Sequence, residues 1–269
     1  MPTCGVRGRP PRRPPKPDPA DLVASTYFDP PRPRVLAHRG LALEAPENTL
    51  LAFANAAAVG ALHIETDVHV SRDGVAVVSH DPTLRRVAGR DVDVARLTMA
   101  ELRRVDLGEG QGFASLEEAL DAFADLRFNI DVKVEGAVAP TAAALERTRS
   151  ASRVLLTSFS DARTRRMSAL VPDAVTSAGR AGVIRARLSA PSRIRRAMRG
   201  AHALQVPERI GRATLVTRRF VDAVHRADAE VHVWTVNDPA DMTRLLDLGV
   251  DGLVTDRADL AISLIAGRN

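Results

Sequence analysis

Residues 230–255 read EVHVWTVNDPADMTRLLDLGVDGLVT, and the two apolar runs that bracket this stretch decide the fold. Positions 230–236 and 250–255 have the length and Val-rich character of buried strands, and the segment between them has the spacing of an amphipathic helix. Asp238-Pro239 opens that helix with proline near its first position, and Gly249 marks a helix close. Strand, helix and strand in so few residues make one parallel β/α unit.

Outward from this unit the pattern repeats back to Val35. Strands are expected also over 34–38, 62–70, 75–79, 127–134, 153–158, 174–178 and 201–206. Helices are expected over 49–59, 98–105, 115–126, 138–149, 160–170, 190–199, 214–228, 238–247 and 257–266. About 235 residues of alternating elements fit an α/β fold of the (β/α)8 TIM barrel type, which typically takes about 250. A doubly wound sheet is the alternative, but the glycine-rich dinucleotide fingerprint that often accompanies it is missing.

Nine strand candidates for eight barrel places leave one over. Residues 62–70 and 75–79 are joined only by Ser71-Arg72-Asp73-Gly74, too short for a parallel crossover, so they should form an antiparallel hairpin. A turn at 71–74 pairs residues whose numbers add to about 145, which sets His80 opposite Glu65.

The 269-residue chain is 45% apolar and 26% charged, an ordinary globular composition. Its one cysteine, Cys4, excludes an internal disulfide and a multi-cysteine zinc site, so metal chemistry must rest on carboxylates and imidazoles. No run approaches the roughly eighteen apolar residues of a membrane span. The first twenty residues lack the apolar segment of a secretory signal, and a cytoplasmic address is the default expectation.

A net charge of +5 invites a nucleic-acid reading that the distribution of charge does not support. Residues 1–34 hold seven basic side chains against three acids, leaving 31 basic and 30 acidic groups in the rest. Residues 1–33 also hold ten of the seventeen prolines. They are expected to be a disordered Pro/Arg-rich arm, with the barrel domain running over 34–269. A second basic stretch, residues 180–219, has eleven arginines and one acid, Glu208. Few aromatics interleave them, which argues against nucleic acid. A solvated helical face is the expected reading, and contact with anionic lipid the alternative.

Glu65 and Asp67 lie two apart in a strand and so share a face, while Ile64, Thr66 and Val68 point the other way. Two such carboxylates repel unless one is protonated or a cation sits between them, and a hard divalent cation is the simpler answer. A solvated edge strand is the structural alternative. Asn129, Asp131, Lys133 and Glu135 repeat the alternation toward the end of their strand, where a parallel barrel has its mouth. Asp131 could complete an acidic ligand set and Lys133 could hold an anion, or the two could form a structural ion pair. Because 36 of the 38 basic residues are arginine, Lys133 is conspicuous. His38-Arg39-Gly40 and His80-Asp81 end strands, placing two imidazoles for proton transfer and a guanidinium suited to phosphate.

The set His38-Arg39-Gly40, Ala45-Pro46-Glu47-Asn48-Thr49, Ile64-Glu65-Thr66-Asp67-Val68, Arg72-Asp73-Gly74 and Val77-Val78-Ser79-His80-Asp81 closely resembles the glycerophosphodiester phosphodiesterase family. The resemblance continues through Asn129-Ile130-Asp131-Val132-Lys133, Ser158-Phe159, Val233-Trp234-Thr235-Val236-Asn237 and Gly249-Val250-Asp251-Gly252 to Thr255-Asp256, and spans about residues 34–266. It implies a TIM barrel with a small insertion after the early strands, about residues 82–112. It further implies hydrolysis of a small-molecule glycerophosphodiester to glycerol 3-phosphate and an alcohol, with one divalent metal ion, Mg²⁺ or Ca²⁺. By the same resemblance His38 and His80 are the acid and base, and Glu65, Asp67 and Asp131 bind metal. Arg39 and Lys133 grip phosphate, Trp234 stands against the glycerol or alcohol, and Glu47 supports the site. The third metal position is often glutamate in the family and is the shorter Asp131 here. The rival readings are a lysophospholipase D acting on lysolipids and a metal-dependent barrel isomerase or aldolase.

Overall fold

The computed structural model describes residues 25–268; the expected arm lies outside the described residues as far as residue 24. The strands are β1 (Arg34–His38), β2 (His63–Val70), β3 (Ala76–Val78), β4 (Arg127–Val132), β5 (Val154–Thr157), β6 (Val175–Thr176), β7 (Ala203–Pro207), β8 (Arg209–Ile210), β9 (Ala213–Thr214), β10 (Glu230–Trp234) and β11 (Gly252–Thr255). Eight of them run parallel in the order β6-β5-β4-β2-β1-β11-β10-β7. The gap between β6 and β7 is spanned by a single bridge, Ser177 with Ala203, and by His202 N–H donating to the Thr176 carbonyl at 2.8 Å. The expected TIM barrel is therefore the fold, with helices packed between and outside the strands.

The surplus strand is β3, which pairs antiparallel with β2. Its register differs from the expectation by one residue: Val68 faces Val78 and Val70 faces Ala76. The turn uses three residues rather than four. Ser71 already pairs with Val75, its N–H donating to the Val75 carbonyl at 3.0 Å, and Gly74 takes the left-handed φ of +79° that such a turn needs. His80 is thus not laddered opposite Glu65, because β3 ends at Val78.

Between β3 and the helix Leu116–Ala122 lies the expected insertion. It carries short helices at Arg85–Ala88 and Met99–Leu102, and Leu84, Val94, Met99, Leu102, Val105 and Phe113 form a small core of their own with Val77. The helix Arg180–Leu188 and the β8–β9 hairpin were not expected from the sequence, nor was the short helix Arg85–Ala88 of the insertion. The expected helix 214–228 begins only at Arg218.

Residues 25–33, placed in the arm by their prolines, instead close the end of the barrel where the strands begin. Tyr27 is 0% exposed and packs with Leu155, Val175 and Ala203. Its ring stands edge-on to His63 at 5.0 Å, and its carbonyl accepts a hydrogen bond from His63 Nε2 at 3.1 Å. Arg34, itself buried, clamps the segment by donating to the carbonyls of Phe28 and Pro30. The composition that marks a flexible arm does not exclude a short strap held by one aromatic anchor.

Arg34 also grips Glu230 with two hydrogen bonds, Nε to Oε2 at 3.0 Å and Nη2 to Oε1 at 2.8 Å. His232 Nε2 donates to the same carboxylate at 3.0 Å, Gln205 donates to His232 Nδ1 at 3.3 Å, and Gln205 also donates to Asn129 at 2.9 Å. A hydrogen-bonded thread thus runs through the barrel interior. Burial alone would raise the Glu230 carboxyl, but the hydrogen bonds from His232 and Arg34 overcome it and pull it down to about 2. A depressed carboxyl stabilises the fold fully above its unfolded value and loses that contribution as pH falls through its folded value. Wild type should therefore exceed Glu230→Gln in stability at pH 6, with the advantage shrinking between about pH 4.5 and 2. Urea midpoints measured across that window check it; a constant difference would remove the ion pair as the cause.

Candidate active site

The mouth lies at the ends of the parallel strands, as barrel geometry requires. There His38, Arg39, Glu65, Asp67, His80, Asp131, Lys133 and Trp234 all line one cavity of about 650 Å³. Of the nine candidate residues only Glu47 stands behind it, accepting from Arg39 Nη1 at 3.0 Å and from Arg86 at 2.6 and 2.9 Å.

Strand pairing explains the convergence. His38 ends β1 beside Glu65 of β2, and Asp67 of β2 faces Asp131 of β4. Just after β1 the chain turns sharply. Arg39 has φ +57° and Gly40 φ +86°. A Cβ on Gly40 would meet the backbone carbonyl group of Ala52 at 2.6 to 2.7 Å, so only glycine lets this turn seat against the following helix. The bend brings Arg39 N–H to Glu65 Oε2 at 3.2 Å.

Each histidine is held through Nδ1 by a carboxylate. His38 Nδ1 donates to Asp256 at 2.6 Å, and His80 Nδ1 donates to Asp81 at 2.7 Å. Both rings are thereby fixed in the tautomer that leaves Nε2 available. Burial pulls the His38 imidazole down, but the Asp256 hydrogen bond and the charge of Glu65 outweigh it and hold the group above its ordinary value. His80 reaches the cavity from the loop after β3, with Asp81 in turn bound to Arg86 Nε at 2.6 Å.

The sequence reading did not single out these orienting partners. Asp256 lies 218 positions from His38 and meets it only because β1 pairs with β11, Ala37 beside Thr255. Asn237 fixes Asp256 from the other side at 2.7 Å. Asn48, in the left-handed region at φ +56°, accepts from Thr66 and donates to Asp67 at 3.1 Å. Asp81 stands in the sequence reading only as the residue that follows His80, with no role given to it, and Arg86 is not named there.

The acidic residues are partly engaged. Lys133 Nζ stands 2.6 Å from Asp67 and 2.7 Å from Asp131, so the ion pair that was the structural alternative for Lys133 is present. Arg39 Nε is 3.2 Å from Asp67 but lacks hydrogen-bond geometry there. The two aspartates respond differently. Both are buried, but Lys133, Arg39 and Asn48 together bring Asp67 below its usual value, whereas for Asp131 burial wins and raises it. Burial and then the neighbouring Asp67 push Glu65 up to about 8.

Among the described residues no three His, Cys, Asp or Glu side chains are grouped as a metal centre as they stand. Two observations nonetheless fit a cation. Asp131 Oδ1 is buried with no hydrogen-bond partner, and Glu65 is a buried carboxyl next to a second carboxylate. Such an all-oxygen donor set suits a hard divalent ion. Opposite, Trp234 stands edge-on to Phe159 at 6.0 Å, giving the cavity an aromatic wall.

Comparison with known proteins gives a consistent result. Residues 38–260 match the Glycerophosphoryl diester phosphodiesterase family. The protein named probable glycerophosphodiester phosphodiesterase 2 of Mycobacterium tuberculosis is 41% identical over 239 residues, covering 87% of this chain and 90% of that protein. The structure of a glycerophosphodiester phosphodiesterase from Agrobacterium tumefaciens superposes with a TM-score of 0.74 at 25% identity, covering 87% of this chain and 99% of the other. A phosphodiesterase of Oleispira antarctica, solved with the product sn-glycerol-3-phosphate, has the same fold with a TM-score of 0.74 at 24% identity, covering 87% and 97%.

Proposed function

The chain belongs to the glycerophosphoryl diester phosphodiesterase family of phosphoric diester hydrolases, and from that premise we propose that it cleaves glycerophosphodiesters to glycerol 3-phosphate and a free alcohol with His38 and His80 as its acid and base. The observation that carries the reading is the pair of imidazoles on one cavity, each tied at Nδ1 to a carboxylate and each offering Nε2. One takes the proton from the attacking hydroxyl and the other gives a proton to the leaving alkoxide.

Arg39 and Lys133 hold the phosphate, the first as a planar fork and the second as a point charge. Both are neutralised by carboxylates in the absence of substrate, so an incoming diester competes with Glu47, Asp67 and Asp131 for them. Trp234 packs against the glycerol or alcohol portion. Glu65, Asp67 and Asp131 are the residues that would hold one divalent ion, Mg²⁺ or Ca²⁺, which supplies Lewis-acid polarisation of the phosphoryl group when bound. The Oleispira antarctica complex with glycerol 3-phosphate supports the product assignment.

The test is an assay of a glycerophosphodiester panel, with lysophosphatidylcholine included, supplied with Mg²⁺, Ca²⁺ and Mn²⁺ in turn. Release of glycerol 3-phosphate from glycerophosphocholine is expected, abolished by exhaustive EDTA treatment and restored by metal. Undiminished activity after EDTA would take the ion out of the mechanism. Absence of glycerol 3-phosphate from every substrate would overturn the reading, and release of lysophosphatidic acid and choline from lysophosphatidylcholine alone would favour the lysophospholipase D class.

A further inference from the structure

One side of the mouth is apolar and exposed. Phe159, Ile184 and Ile210 line the cavity there, from the loop after β5, the helix Arg180–Leu188 and the β8–β9 hairpin. They are 60%, 47% and 59% exposed, and Leu188, one turn on from Ile184, is 81% exposed. Four of the seven exposed large hydrophobic side chains among the described residues thus belong to three neighbouring segments at one opening. Single exposed side chains need no explanation, but a cluster does.

Two of these three segments, the helix and the hairpin, also carry unpaired positive charge. Arg180 and Arg187 are exposed on the helix, and Arg209 and Arg212 flank Ile210 on a hairpin exposed along its whole length. Among the described residues none of these four guanidinium groups pairs with a carboxylate, whereas Arg195 and Arg244 pair with Asp228 and Glu208. Aliphatic side chains interleaved with unpaired arginines are the composition of an interfacial lipid-binding surface. Base stacking would call for aromatic side chains in place of Ile184, Leu188 and Ile210.

We propose that this edge of the mouth docks on an anionic lipid surface. Ile184, Leu188 and Ile210 enter the apolar boundary, and Arg180, Arg209 and Arg212 meet headgroup phosphates, so that the cavity opens toward the lipid. The sequence offers lipid contact only as the alternative reading of residues 180–219 as a whole, and within that stretch Arg193, Arg195, Arg196 and Arg199 do not belong to this edge. Those residues lie in the outer layer of the barrel, where Ile194 and Met198 are buried and Arg195 donates to the Ala227 carbonyl.

The experiment is cosedimentation of the full chain with phosphatidylcholine vesicles containing about one-third phosphatidylglycerol, against vesicles of phosphatidylcholine alone. Binding to the anionic vesicles only is expected. Arg209→Gln/Arg212→Gln should weaken it about 25-fold, at about fivefold per arginine. Ile184→Ser/Ile210→Ser should weaken it at least about tenfold. Arg195→Gln/Arg196→Gln removes the same charge from the outer layer and should leave binding unchanged. Melting temperatures verify that each variant is folded. Equal losses from the two arginine pairs would overturn the proposal in favour of unlocalised charge attraction. Unchanged binding in both lip variants would overturn it by moving the contact elsewhere, the basic N-terminal segment included. So would absence of vesicle binding, or self-association of the chain through these same residues in sedimentation velocity.

Discussion

His38→Ala and His80→Ala should each lower kcat on glycerophosphocholine by about 10²- to 10⁴-fold, the usual contribution of a positioned acid or base. The fold should hardly notice, because neither ring is a core element: their side chains are 18% and 34% exposed. Melting temperatures within a few degrees of wild type would establish that the loss is chemical. The double variant should be little worse than the more damaged single, since an acid and a base used in one turnover act as a unit. Asp256→Asn separates orientation from chemistry. It leaves the imidazole in place but removes the charge-assisted hydrogen bond that fixes its tautomer, worth roughly 1.5–3 kcal/mol and hence about ten- to a hundredfold in rate. Its KM should stay near wild type while kcat falls, because Asp256 sits behind His38 rather than on the substrate. Near-wild-type kcat in either alanine variant would falsify the acid-base assignment.

The barrel itself was legible because hydrophobic patterning and crossover length are local properties. Residues 230–255 announce a β/α unit with its own start and stop signals, and the four residues between the expected strands 62–70 and 75–79 allow nothing but a hairpin. The register was not legible to the residue. Whether Ser71 belongs to the turn or to the ladder depends on Gly74 adopting a positive φ, which composition permits but does not dictate. Eight of the nine proposed site residues converge because each lies on a strand or within two residues of a strand's end, a relation that sequence spacing preserves. Asp256 and Asn48 were missed as supporting groups because their partners are set by sheet order and by a left-handed backbone turn. The helix Arg180–Leu188 escaped for a different reason. Its apolar residues Ile184 and Leu188 face solvent, so it lacks the buried stripe by which a helix is found in sequence.

Tyr27→Ala should destabilise the protein by about 3–5 kcal/mol, the range for emptying a buried aromatic site. Prolines and arginines around Tyr27 hide its role, yet the ring is wholly buried among Leu155, Val175 and Ala203, at the far end of the barrel from the catalytic mouth. Losing it opens a cavity at the base of β5, β6 and β7, where the sheet is closed by a single bridge and has few ladder bonds in reserve. For a chain of this size the melting temperature should fall by roughly 6–20 °C. Tyr27→Phe should behave in the opposite way. The phenol oxygen is buried without a hydrogen-bond partner, and burial pushes its ionisation well above the ordinary range. Removing an unsatisfied buried hydroxyl while keeping the ring is expected to raise stability, by about 1 kcal/mol. Activity per folded molecule at low temperature should be the same in all three proteins, because no reacting group touches this end of the barrel. A phenylalanine variant as damaged as the alanine one would mean that the hydroxyl has a partner in solution. An alanine variant melting with wild type would mean that residues 25–33 do not hold the barrel closed.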